Sequence, residues 1–166
     1  MAVKTFDELF IHELSDIYSA EKQLTKALPR LARAADNEKL SAAFEAHLEE
    51  TQGQIERIDR VVELLGIRLK RIKCAAMEGL IEEGKEVIDA IEKGPLRDAA
   101  LIGGAQKVEH YEIAAYGTLA ALAKQAGQKD ALKLLLETLE EEKSTDEKLS
   151  LLAEQGGNQR AAREAA

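Results

Sequence analysis

Tryptophan is absent from this chain of 166 residues, and three tyrosines, three phenylalanines and two prolines complete its aromatic and rigid side chains. That inventory leaves little material for a β-sheet. A single cysteine, Cys74, excludes an internal disulfide and suits a reducing compartment. No run of about 18 apolar residues occurs, so no segment is built to span a membrane. The N-terminus lacks the apolar stretch of a secretory signal, and the expected location is the cytoplasm. Asp and Glu outnumber Lys and Arg by 31 to 23, a formal net charge of −8, which argues against nucleic acid as a main partner.

What is present is helix-forming. Ala, Leu, Glu and Lys dominate, and apolar residues recur at three- and four-residue spacing almost throughout, which predicts an all-α chain. The length suits one domain, 1–166, with a self-sufficient core. Thr5 followed by Glu8 reads as a capping box opening a first helix, about 6–35, with Pro29 kinking its last turns rather than ending them. Asp36 and Asn37 form the turn to a second helix, about 38–65, stopped by Gly66. A basic irregular stretch, 67–74, precedes a shorter amphipathic helix, about 76–93, whose buried side should carry Met77, Leu80, Ile81, Val87, Ile88 and Ile91. Pro95 opens the next long helix, which runs to about Gln125, and the last covers about 128–154. The Gly156-Gly157 pair and the tail to 166 are expected to fray. Short turns make each pair of long helices an antiparallel hairpin. The connection between the pairs is long enough to cross a bundle end to end, giving a ferritin-like four-helix bundle with an extra helix in the crossover.

The informative anomaly lies in the seams. Glu21 stands where helical spacing calls for a leucine between Ile17 and Leu24. His47, Glu50 and Gln54 interrupt a second seam, and Glu112, with Glu109 one turn earlier, interrupts a third. Glu142 and Asp146 interrupt the fourth, between Leu139 and Leu149. A buried carboxylate without a partner costs several kcal/mol, and those stripes carry no Lys or Arg. Cations from outside are therefore expected, held by Glu21, His47, Glu50, Glu109, Glu112, Glu142 and Asp146. Sliding the first hairpin onto the second superposes Glu21 on Glu112, Glu50 on Glu142 and Gln54 on Asp146, while His47 falls on Leu139. That weak repeat predicts Glu50 and Glu142 as bridging ligands, Glu21 and Glu112 as terminal ones, and His47 as one imidazole. Glu109 adds a further ligand, and Asp146 either a ligand or an acceptor behind one. An oxygen-rich set with one nitrogen and no thiolate suits two iron ions, or manganese, and not a structural zinc.

The stretches Asp16-Ile-Tyr-Ser-Ala-Glu21-Lys-Gln-Leu24, His47-Leu-Glu-Glu50-Thr-Gln-Gly-Gln54, Cys74-Ala-Ala-Met-Glu-Gly-Leu80, Glu109-His-Tyr-Glu-Ile113 and Leu139-Glu-Glu-Glu-Lys-Ser-Thr-Asp146 span nearly the whole chain. By them the chain resembles the YciE/YciF stress-protein family of the ferritin-like superfamily. The resemblance implies a homodimer and a site similar to the di-iron centre of rubrerythrin, in a bacterial stress response. It also shows a departure. Rubrerythrin-like sites place Glu-x-x-His on the second and fourth helices, whereas here the second reads His47-x-x-Glu50 and the fourth has no histidine.

The resulting expectation is a carboxylate-bridged di-metal protein reacting with peroxide or oxygen. Its alternatives are iron oxidation with storage, or a non-enzymatic structural or adapter dimer. Among the remaining residues, His110 is expected to be packed or at an interface, and Tyr18, Tyr111 and Tyr116 are read as core. Tyr18 is the candidate electron relay, lying one turn before Glu21. Cys74 is read as incidental, and Gly103-Gly104 as a close helix approach at a dimer seam.

Overall fold

The computed structural model describes residues 3–164. Thr5 caps the first helix: its hydroxyl accepts from Glu8 N, while Glu8 Oε2 accepts from Thr5 N. Helix α1 then runs Phe6–Ala34 without a break at Pro29. Asn37 caps α2 (Glu38–Leu65), and Gly66, at a φ of 59° that favours glycine, stops it. Helix α3 spans Ala75–Ala90, α4 Pro95–Gln125 and α5 Lys129–Leu152. Among the described residues there is no strand, and no helix is long and apolar enough to cross a membrane.

Helices α1 and α2 pack as one hairpin and α4 and α5 as another, with α2 against α5 and α1 against α4. The bonds Glu50–Thr145, Gln54–Glu141 and Arg57–Thr138 step forward along α2 and backward along α5, so those helices are antiparallel. This is the ferritin-like bundle. The core runs along its axis through Leu14, Ile17, Leu24, Leu28, Leu40, Phe44, Ile58 and Leu119.

The crossover is stitched to α1 rather than loose. Lys70 N donates to Ser15 Oγ at 2.9 Å, Cys74 N to Ser19 Oγ at 2.9 Å, and Gln23 Nε2 to Cys74 O at 3.0 Å. These bonds satisfy main-chain groups that an irregular segment would otherwise leave unpaired. Cys74 has a structural part here, and burial raises its thiol rather than activating it. It is fully buried, its sulfur accepts from Met77 N as the cap of α3, and it meets the Tyr111 hydroxyl at 3.0 Å. Tyr111 in turn donates to Asp16 at 2.6 Å. At the far end, buried Asp98 accepts from the amides of Asp36 and Asn37, both at 2.8 Å, fastening the α1–α2 turn to α4.

Two expectations change. Of the six residues assigned to the buried side of α3, only Met77 is buried; the others are half-buried. The tail does not fray either. A π-helical turn, Ala153–Gly157, is broken by Gly156 at a φ of 113° and redirects the chain into α6, Asn158–Glu164. Helix α6 lies on α4 with Ala161 buried. A Cβ at Gly157 would sit 2.7 Å from the Leu152 carbonyl oxygen, so the glycine pair is what lets the chain return. Residues 165 and 166 lie outside the described residues.

Candidate metal centre

Four side chains converge at the middle of the bundle: His47 from α2, Glu109 and Glu112 from α4, and Glu142 from α5. Each offers a ligand atom within 4.8 Å of the others. His47 Nδ1 is 3.1 Å from Glu109 Oε1, and its Nε2 is 3.8 Å from Glu142 Oε2. Glu21, from α1, is also wholly buried and adjoins Glu112. On α4, three-residue spacing puts Glu109 and Glu112 on adjoining faces of one turn, and both are inside because that helix is covered by α1, α3, α5 and α6.

Hydrogen bonding exposes the oddity. Among the described residues, nine buried side-chain N and O atoms have no partner, and all belong to Glu21, His47, Gln54, Glu109, Glu112 and Glu142. Both oxygens of Glu109, of Glu112 and of Glu142 are in that set. Folded proteins pair nearly all such atoms, and each unpaired one costs about 1–3 kcal/mol. No other place in the described chain tolerates even one.

The electrostatics agree. Burial, reinforced by the neighbouring Glu142 carboxylate, pushes Glu21 up to about 8. Burial, with Glu142 beside it, pushes Glu109 up to about 11. Burial and the surrounding acids raise Glu112, and burial raises Glu142. Burial lowers His47 to about 4, so the imidazole is neutral and its approach to Glu109 is not an ion pair. A neutral imidazole is the form that ligates a metal. Without cations, Glu21 and Glu109 keep protons at neutral pH, where exposed carboxylates would have lost them.

The remaining predicted ligands sit differently. Glu50 is a third exposed, accepts from Thr145 Oγ1 at 3.1 Å, and has Lys148 Nζ at 3.9 Å. It stands at the edge of the cluster, outside the four-residue group. Asp146 is at the rim as well, 3.2 Å from His110 Nε2 and 3.4 Å from Gln106 Nε2. His110 is 69 % exposed and is not packed in the core. Gln54 lies against Glu142 and donates to Glu141, which Arg57 grips with both of its terminal nitrogens. The Arg57 guanidinium is therefore engaged by Glu137 and Glu141 rather than by the cluster.

Tyr116, rather than Tyr18, is the tyrosine at the cluster. Its buried hydroxyl donates to Glu21 Oε1 at 2.5 Å. Tyr18 is half-buried, with Lys22 Nζ 5.2 Å from its ring centre. The available signal was spacing, because Tyr116 follows Glu112 by one helical turn.

Three comparisons extend this picture. A family model described as a domain of unknown function, DUF892, matches residues 5–162. Protein YciF of Escherichia coli K12 is 66% identical over 162 residues, 97% of this chain and 98% of the relative. The crystal structure of the E. coli stress protein YciF superposes with a TM-score of 0.92 at 65% identity, covering 95% of this chain and 99% of that one. YcfI from Rhodopseudomonas palustris gives 0.86 at 46%, covering 89% and 94%.

Proposed function

Because the chain belongs to the DUF892 family, that of the stress protein YciF, we propose that its buried His/Glu cluster holds two iron or manganese ions that react with peroxide or oxygen during stress. One observation carries the reading: the unpaired buried side-chain polar atoms of the described residues all fall in a single cluster of four carboxylates, one imidazole and the adjoining Gln54 amide. An oxygen-rich donor set with one nitrogen fits either metal. When bound there, such ions supply the electrons that reduce an oxidant.

The chain's own residues have definite parts in this reading. Glu109, Glu112 and Glu142 each keep two oxygens free, so each can serve two ions at once. His47 supplies the nitrogen, held neutral by burial. Tyr116 occupies one oxygen of Glu21, leaving the other as its donor atom. Gln54 lies beside Glu142 with its amide nitrogen held by Glu141, placed to support that ligand from behind. Glu50 and Asp146 are the reserve, because Glu50 acts electrostatically on Glu142 and Asp146 on Glu109. The nearly complete burial of the cluster keeps bulk water away from the ions.

The test is metal analysis of protein purified without chelators, followed by rapid mixing of the ferrous form with hydrogen peroxide. Stoichiometric metal and peroxide-dependent oxidation are expected. Protein that binds neither iron nor manganese would end the proposal, and metal-loaded protein inert to both oxidants would end its redox part.

A further inference from the structure

Beneath α3 lies a cavity of about 560 Å³, walled by α1, α3 and α4. No side chain of the carboxylate cluster lines it. Its walls are chiefly apolar: Leu24 and Leu31 from α1, Leu80 and Ile88 from α3, Leu101 and Val108 from α4. This volume falls inside the range of about 300–1,000 Å³ found for small-molecule sites, which are mostly apolar with a few charged or polar groups.

Two observations show the space to be built rather than left over. The apolar side chains of α3 other than Met77 stay half-buried even where they pack against the core, so the helix leaves open space beside them. Gly103 and Gly104 lie on the α4 wall, and a Cβ on either would meet no atom within 4 Å. Larger residues would fill the gap with apolar contact, which normally stabilises a core. Glycine there keeps the volume open at a cost in helix propensity.

The lining is polarised. Lys26, Arg30, Lys85 and Lys107 line it against one acid, Glu83, in a chain whose acids outnumber its bases. Lys107 is bound to Glu83, Lys85 to Glu82 and Arg30 to Asp89, while Lys26 has no ion-pair partner among the described residues. Lys26 and Arg30 are one turn apart on α1, so their heads can meet one anion together.

We propose that this cavity binds a single-chain amphiphile, its alkyl chain between α1, α3 and α4 and its carboxylate head at Lys26 and Arg30. An apolar tail fills the walls, and the cationic pair at the mouth selects the anionic head. The site needs no metal and stands independently of the carboxylate cluster.

Titration of the full chain with dodecanoate, below its micelle concentration and in the presence of chelator, tests this by calorimetry. Saturable binding of one molecule per chain is expected. Gly104→Leu should weaken it at least tenfold by filling the space, and Lys26→Gln with Arg30→Gln should weaken it several-fold. Dodecanol should bind the unmodified protein no better than dodecanoate binds that double variant. Methyl NMR shifts on dodecanoate addition should concentrate at Leu80, Ile81, Val87 and Ile88, which reads the site even if Gly104→Leu fails to fold. Unsaturable binding, shifts elsewhere, or undiminished binding by folded Gly104→Leu would overturn the assignment. Equal affinity for dodecanol would overturn the role of the cationic pair. A dimer that dodecanoate neither enters nor dissociates would show instead that a second copy covers this face.

Discussion

Tyr116 and Glu21, on different hairpins and both wholly buried, meet in one 2.5 Å hydrogen bond with the phenol as donor. Tyr116→Phe removes that donor while leaving the ring, so Glu21 loses the sole partner of Oε1. The metal-free variant should be less stable by about 1–3 kcal/mol in urea unfolding. A shift of the midpoint without a change in slope would locate the loss in the folded state.

The acid cluster sets a sign for pH dependence. Glu21 and Glu109, at about 8 and about 11, are raised from 4.5, so the folded state binds more protons than the unfolded one. Their contribution is fully present below about 4.5 and is lost as pH rises toward 8 and beyond. His47, lowered from 6.5 to about 4, works in reverse, adding stability as pH rises from about 4 to 6.5. One histidine cannot offset four raised acids. Chelator-treated protein should therefore melt at a lower temperature at pH 8.5 than at pH 6.5. Metal binding must displace those protons, so the rise in melting temperature on loading should grow over the same interval.

Glu112→Gln should act in opposite directions with and without metal. In metal-free protein at pH 8 it replaces a buried acid, raised well above its ordinary range, by a neutral isostere. A gain of roughly 1–4 kcal/mol is expected. In protein purified without chelators, the same change should remove most of the bound metal. Glu50→Gln should move metal content far less, because that side chain is a third exposed and already bound to Thr145. Equal metal loss in the two variants would restore Glu50 to the bridging position that the repeat suggests.

Gly157→Ala places a methyl group where only 2.7 Å separates it from the Leu152 carbonyl oxygen. Backbone must shift, and the expected loss is about 1–3 kcal/mol, concentrated in α6. Faster amide exchange in residues 158–164, with α1 and α2 unchanged, would be the signature.

Asp98→Ala removes the buried acceptor that holds the amides of Asp36 and Asn37 at a half-exposed turn. Hydrogen bonds to a charged group are worth about 1.5–3 kcal/mol each, and water at the half-exposed turn replaces them in part, so a loss of about 2 kcal/mol in urea unfolding is expected. Asp98→Asn, which keeps one acceptor, should recover part of the loss.

The helices, the cap at Thr5, the turn at Asn37, the stop at Gly66 and the polar interruptions of the four seams were legible because each rests on local spacing or turn chemistry. What misled was the repeat. It superposes Glu50 on Glu142, yet Glu142 is fully buried and Glu50 is not. On α2 the inward line passes through His47, Thr51 and Gln54, all buried, and Glu50 falls about 60° to its side at 100° per residue. Glu109 could not be ranked against Glu112 from α4 alone, since a helix covered on several sides has apolar residues nearly all round. The half-buried face of α3 was illegible for a different reason. Periodicity tells which side of a helix is apolar, and not how closely that side approaches its neighbours. Helix α6 carries no apolar period at all, and its place depends on the turn at Gly156.

The bonds Asp16–Tyr111, Glu21–Tyr116 and Glu50–Thr145 each join residues 95 positions apart. Each hairpin closes through neighbours in the chain, whereas these links wait for the crossover to lie down along α1. Loop closure over such a span makes docking of the halves the slow event in folding. Neither half alone contains the whole cluster, so its assembly reports when that docking is complete.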